Sequence, residues 1–215
     1  MAAGRIQLVA FDMEGCLTDE PTVWEIMHRK LGTWQSHGRP YWDRYRAGEL
    51  AYDEFARMDV AAWRGAPAAL LEEAALEVPL MPGCAELLGA LRRAGLRVAI
   101  ITNGLDCLAR RFKRQFGAAH LYANRARVLD GLLTGEIEIR VPYGGKGDLL
   151  RGLMRRLGLE RCNVAAVGDS PSDIEMFRAA ALGVAFRPSH PSVAQAATHV
   201  VEEKDLRALE RILLP

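Results

Sequence analysis

Four short runs constrain the fold of this chain more than any other feature of its sequence. IQLVAFD (6–12), RVAIIT (97–102), NVAAVGD (163–169) and LGVAF (182–186) are β-branched and apolar on both faces. A strand with one wet face alternates apolar and polar residues. One that is apolar on both faces belongs inside a parallel sheet covered by helices. Amphipathic segments separate these runs: CAELLGALRRAG (84–95), DCLARRFKRQFG (106–117), KGDLLRGLMRRLG (146–158) and DIEMFRAAA (173–181). The first three stop on Gly, a common helix terminator. HVVEEKDLRALERILL (199–214) offers a last short strand and a terminal helix. The alternation predicts an α/β fold, a doubly wound parallel sheet with right-handed crossovers.

Two stretches interrupt the alternation. VLDGLLTGEIEI (128–139) carries an Asp-Gly turn signal followed by alternating apolar positions, which predicts a β-hairpin. Residues 17–79 hold no convincing strand and read as helices near 22–31, 40–48, 52–64 and 67–77. The expected organisation is a core of residues 1–16 and 80–215, with 17–79 inserted as a small helical domain. All four tryptophans (Trp24, Trp34, Trp42 and Trp63) fall in this insert. They either build its own small core or, for one or two of them, face a ligand. An insert directly after the first strand sits over the strands' C-terminal edge, where open α/β sheets bind ligands. Such a lid is expected to hinge near 16–21 and 78–83.

Composition narrows the partners. A formal net charge of +1 gives no electrostatic case for nucleic acid or membrane binding. No apolar span is long enough to cross a bilayer, and the start lacks a signal-peptide pattern, so the cytoplasm is the expected compartment. Cys16, Cys84, Cys107 and Cys162 are widely spaced, which reads as reduced thiols rather than a disulfide frame or zinc site. Monomer and homodimer both remain open.

The polar groups at the strand ends carry the chemistry. The first run stops on Asp12 and Glu14, the second on Thr102, Asn103 and Gly104, and the third on Asp169 with Asp173 four residues on; Lys146 opens a helix after PYGG. In a parallel sheet these gather along one edge. Each also has a plain structural reading: Asp12 and Glu14 as turn acids, Thr102 as a helix N-cap, Asn103 as a turn former, Lys146 as a surface lysine, Asp169 and Asp173 as caps. Phosphoryl transfer explains them together. An aspartate can carry the phosphoryl group between two displacement steps. Carboxylates crowded against phosphate then require a hard divalent cation, for which Mg2+ suits oxygen ligands. Asp12, Asp169, Asp173 and the main-chain carbonyl of Glu14 are the candidate metal site. Lys146 would offset charge, Thr102 and nearby amides would bind phosphate oxygens, and the Glu14 side chain would pass the proton.

FDMEGCLTDE, ITNG, KGDLL and VGDSPSDIEMF, in this order and spacing, resemble the four motifs of the haloacid dehalogenase-like superfamily. The helical insert resembles its C1 cap, and YANRARVLDGLLTGEIE onward resembles the phosphoserine phosphatase branch. The resemblance implies Asp12 as nucleophile, Glu14 as acid–base, Thr102 as phosphate donor, Lys146 as charge partner, and a metal site at Asp169 and Asp173. It also implies a Mg2+-dependent phosphatase for a small phosphorylated metabolite, phosphoserine first. Two positions depart from the pattern. The usual second acid is Asp, here Glu14, as in a branch resembling phosphoserine:homoserine phosphotransferases. The position of the phosphoserine-binding arginine falls near Asp59, with Arg57 and Arg64 out of register. Glu20, the counterpart of the residue meeting the substrate amine, is displaced by one. Glu20 and Arg57 are the candidate substrate contacts, beside Asn103 and Gly104 for phosphate. Alternatives are transfer to an alcohol such as homoserine, hydrolysis of another metabolite such as a sulfur-salvage sugar phosphate, and a non-catalytic phospho-accepting or metabolite-binding module.

Overall fold

The computed structural model describes residues 5–214. Seven strands form one sheet: β1 (Leu8–Phe11), β2 (Arg97–Leu105), β3 (His120–Leu129), β4 (Leu132–Glu138), β5 (Val164–Gly168), β6 (Leu182–Phe186) and β7 (His199–Val201). Their order is β4-β3-β2-β1-β5-β6-β7, parallel throughout except for the antiparallel β3–β4 pair. The doubly wound parallel sheet expected from the sequence is therefore present.

The period-2 geometry of a strand explains why these runs are apolar throughout. Val9 and Phe11 of β1, Val98 and Ile100 of β2, and Ala165 and Val167 of β5 enter the core on one face. Leu8 and Ala10, Ala99 and Ile101, and Val164 and Ala166 enter a second core on the other. Helices α5 (Cys84–Arg93) and α6 (Asp106–Phe116) cover the first face; α7 (Lys146–Leu157) and α8 (Ile174–Ala179) cover the second. Gly117 and Gly158 close α6 and α7 in the left-handed conformation that only Gly adopts freely. β1 has a partner on each side reached by opposite windings, so its C-terminal end is the switch point where such sheets open a crevice.

Between β1 and α5 the chain forms α1 (Val23–Lys30), α2 (Arg39–Arg46), α3 (Tyr52–Ala62) and α4 (Ala69–Glu77). The two connections to the sheet run side by side, Asp19 N–H donating to Pro79 O (2.9 Å) and Met81 N–H to Leu17 O (3.0 Å). A third tether joins the insert to the hairpin: Gly65 and Ala68 N–H donate to Leu133 O and Gly131 O (each 2.8 Å), and Leu133 N–H to Ala66 O (2.9 Å). Asp130 and Gly131, both with positive φ, make the expected turn.

Three elements differ from the sequence reading. β3 begins at His120 rather than 128, because it lies toward the sheet edge where Asn124, Arg125 and Arg127 break the apolar pattern. A π-helical turn spans Trp34–Gly38, where Gly38 lets the chain press on His28 and Trp34; a Cβ there would sit 2.6 Å from each ring. A short helix over Pro191–Ala196 follows β6, its start capped by His190. Among the described residues no helix is long and apolar enough to cross a membrane.

Candidate active site

The C-terminal ends of β1, β2 and β5 and the start of α7 bring the sequence-selected groups together. Lys146 is 1 % exposed and lies between two carboxylates, 2.9 Å from Asp12 Oδ1 and 2.7 Å from Asp173 Oδ1. The Asp173 contact is a directed hydrogen bond. The approach to Asp12 is an ion pair off the hydrogen-bond line, so Asp12 Oδ1 keeps no hydrogen-bond partner. Asp173 Oδ2 accepts from the main-chain N–H of Asp169 (3.1 Å) and Ser170 (2.9 Å) and from Ser170 Oγ (3.0 Å). Asp173 is thus saturated and fixed, while Asp169 Oδ1 is buried without a partner.

Glycines allow this crowding. A Cβ on Gly15, whose φ is +84°, would stand 2.8 Å from Asp169 Oδ2; one on Gly104 would stand 2.6 Å from Glu14 Oε2 and 3.2 Å from Thr102 Oγ1. The latter pair shows that the second motif meets Glu14 directly. β2 carries an irregularity between Ile101 and Leu105, which re-aims Thr102–Gly104 at the site. Gly104 N–H donates to Thr102 Oγ1 (2.9 Å), so Thr102 organises its own turn; α6 begins at Asp106 with no side-chain cap. The Glu14 carboxylate accepts from Trp24 Nε1–H (3.2 Å) and from Val23 N–H (3.4 Å) at the start of α1.

The electrostatics follow from burial. Desolvation, reinforced by Asp173 and only partly offset by Lys146, pushes Asp12 up to about 6. Burial pushes Glu14 up to about 7 against the hydrogen bond from Trp24. Asp169 is raised well above the carboxylate range by burial and by repulsion from Asp12 and Asp173. Lys146 loses solvation too, but the Asp12 and Asp173 carboxylates outweigh that and hold it firmly charged.

Oxygens of Asp12, Asp169 and Asp173 lie within 4.8 Å of one another. Two of these acids carry a buried oxygen without a hydrogen bond, and all the donors are hard carboxylates. That set fits a hard divalent cation, with Asp12 and Asp169 as the side chains free to bind it.

Sequence reasoning missed three groups. Asn124, fully buried on β3, donates to Asn103 O (2.7 Å) and to the Tyr52 hydroxyl (3.1 Å) and accepts from Arg140 and Val141 N–H (2.8 and 2.9 Å). The Tyr52 hydroxyl, from α3, donates to the same Asn103 carbonyl. Ser170 completes the grip on Asp173. A lone Asn or Tyr has no spacing signal; Asn124 meets Asn103 only once β3 pairs with β2, and Tyr52 only once α3 packs there. The Asn103 amide donates to Val141 O (2.8 Å). Glu20 borders a cavity in the insert. Arg57 is not brought to the site. It is exposed and pairs with Asp53 (3.8 Å), because α3 turns Tyr52, Phe55 and Asp59 inward and Arg57 away from that face.

A sheet-edge cluster of this kind, placed after the first strand, defines a phosphoryl-handling α/β hydrolase. The model of the haloacid dehalogenase-like hydrolases matches residues 9–178, and the chain belongs to that family. Within it, the chain resembles the phosphoserine phosphatase branch, a class of phosphoric monoester hydrolases. It is 29 % identical over 204 residues to the phosphoserine phosphatase of Methanocaldococcus jannaschii, covering 94 % of this chain and 95 % of that one. It is also 29 % identical over 205 residues to that of Wolinella succinogenes, covering 95 % and 98 %. A solved phospho-aspartyl intermediate analogue of phosphoserine phosphatase superposes with a TM-score of 0.86 at 26 % identity, covering 97 % of this chain and 99 % of that one.

Proposed function

We propose that this phosphatase hydrolyses a small phosphomonoester in two steps, with the phosphoryl group carried on Asp12 and Mg2+ held by Asp12, Asp169 and the main-chain carbonyl of Glu14. The insert over the site acts as the cap. The observation that carries this reading is the burial of Lys146 between Asp12 and Asp173 at the end of β1, with the Glu14 carboxylate clasped beside it.

An Asp12 oxygen attacks phosphorus, and the bond from phosphorus to the leaving oxygen breaks as Glu14 delivers its proton to that oxygen, releasing the alcohol. Glu14, now an anion, takes a proton from water. The water oxygen bonds to phosphorus, the Asp12–phosphorus link breaks, and phosphate leaves with Asp12 restored as a carboxylate. A group pushed up to about 7 can serve as both acid and base near neutral pH. Lys146 keeps Asp12 ionised for attack, and the Thr102 hydroxyl, whose oxygen accepts from Gly104 N–H, has its own hydrogen to give to a phosphate oxygen. Bound Mg2+ would neutralise charge on the phosphate oxygens and orient them for in-line attack. Asp173, already saturated, positions Lys146 and the β5 loop.

Phosphoserine, named for the relatives, is the first compound to assay. The pure protein should release phosphate from aryl phosphate or a metabolite panel only with Mg2+. Asp12→Asn should lower kcat on the order of a thousandfold or more without changing the melting temperature much. Release without a divalent cation, or unaffected by Asp12→Asn, overturns the proposal.

A further inference from the structure

The insert contains a cavity of about 100 Å3 whose lining is aromatic and acidic. Trp24, Trp34, Trp42 and Phe55 form its walls; Glu20, Glu25 and Asp59 supply its carboxylates. Among the described residues no Lys, Arg or His lines it. It adjoins the reacting centre through Trp24, whose Nε1–H is the donor to Glu14. Asp59 is 1 % exposed, and its Oδ1 has no hydrogen bond: His28 Nε2 stands 3.2 Å away but off the N–H direction. Asp59 thus brings a buried carboxylate to the lining, with His28 in contact on one of its oxygens.

We propose that this cavity is the leaving-group subsite and that it takes a small alkylammonium group without an adjoining carboxylate, so that the substrate is the phosphate ester of an amino alcohol. The inference rests on the phosphatase reading above and narrows it. Cations sit favourably over the faces of Trp and Phe, and aromatic cages are the recurrent solution for quaternary ammonium groups. The neighbouring charges agree. His28 stands behind Asp59, and Arg29 pairs with Glu25 from the same helix, which leaves Glu20 as the carboxylate without an ion-pair partner among the described residues. Arg46 lies over the Trp42 ring, 5.8 Å from its centroid, but does not line the cavity. A carboxylate entering here would meet like charge and no cation. A volume of this size holds a group of a few heavy atoms, less than the benzene-sized cavities that accept an aromatic ring.

The test measures kcat/KM with Mg2+ for phosphoethanolamine, phosphocholine, phosphoserine and p-nitrophenyl phosphate. One of the two amino-alcohol esters should exceed phosphoserine at least tenfold, and which one separates a primary from a quaternary ammonium. Glu20→Gln, on an exposed residue that the fold does not depend on, should raise KM for the preferred ester several-fold more than for p-nitrophenyl phosphate. Equal or better turnover of phosphoserine, or a Glu20→Gln effect uniform across the four esters, overturns the assignment. Absence of phosphate release from all four esters overturns the phosphatase reading itself, which distinguishes the two failures.

Discussion

At the sheet edge Lys146 is buried between Asp12 and Asp173; in the insert His28 and Asp59 are buried just as deeply, yet the two regions hold their polar groups by different means. Around Lys146, main-chain N–H groups and strand ends do the positioning, and glycines remove the Cβ atoms that would stand in the way. Around His28, Thr33 Oγ1 lies 2.8 Å from Nδ1 and Trp63 packs edge-on at 5.5 Å between centroids, so ring packing sets the geometry. Backbone-held sites are rigid to within tenths of an ångström, as transfer chemistry requires. Aromatic packing tolerates repacking with little loss, so a region built that way can change its ligand while the chemistry beside it stays fixed.

That contrast is sharpest for removal of a buried charge. Lys146→Ala leaves two buried carboxylates unpaired and should cost about 3–5 kcal/mol, measured by urea unfolding with chelator present. Asp59→Asn, which keeps the shape and removes a charge that burial already disfavours, should cost about 1–2 kcal/mol. Equal losses would show the two regions to be held alike. The joint between them is Glu14. Its proton is needed in the first step, so kcat/KM should fall as pH rises through about 7. Trp24 stabilises the charged form of Glu14, so Trp24→Phe should move that alkaline limb upward by about one pH unit. A limb that stays in place means another group sets it.

The same difference decides what could be read from the sequence. The apolar runs, the helices stopping on Gly and the Asp-Gly turn are local signals, and the strands' shared direction then gathers Asp12, Thr102, Lys146, Asp169 and Asp173 at one edge. Asn124 and Tyr52 give no local signal; their partners lie on β2, β3 and α3 and meet only after the sheet has formed. The π-helical turn at Trp34–Gly38 rests on close contact with His28, a tertiary effect no window of sequence contains. Arg57 was legible as a charge near the site but not as a direction, because the inward face of α3 is set by Tyr52, Phe55 and Asp59. The tryptophans allowed two readings. Trp63 and Trp24 are buried in the insert's own core, and Trp42 packs against it. The reading in which one or two of them face a ligand rests on the cavity that Trp24, Trp34 and Trp42 border and belongs to the proposal above.

Tyr52 tests whether the insert takes its place over the site through a latch or through packing alone. Its hydroxyl meets the Asn103 carbonyl that Asn124 also grips, so insert position and the Thr102–Gly104 bulge are linked through one atom. Tyr52→Phe keeps the ring stack with Tyr143 and removes that link. It should cost about 1 kcal/mol in stability and lower kcat/KM by roughly tenfold, through kcat more than KM if the bulge moves. A pure stability loss with unchanged kinetics would mean that packing alone seats the insert.

The smallest expected effect concerns the outer seam, where Glu72 of α4 reaches Arg110 (2.6 Å) and Arg114 (3.2 Å) of α6. Partial burial pushes Glu72 up, but the two guanidinium groups outweigh it and hold the carboxyl below its ordinary value. A carboxyl lowered in the folded state adds stability that is present above its unfolded pKa and is lost as pH falls through the folded one. Glu72→Gln should therefore cost about 0.2–1 kcal/mol near neutral pH, since the side chain is 43 % exposed and solvent screens the pair. The difference from wild type should shrink below pH 4.5, the ordinary value for a glutamate, as unfolding curves across that range would show. A difference that persists unchanged into acid would mean that α4 and α6 are joined by apolar contact, and that the seam, like the interior of the insert, is held by packing rather than by charge.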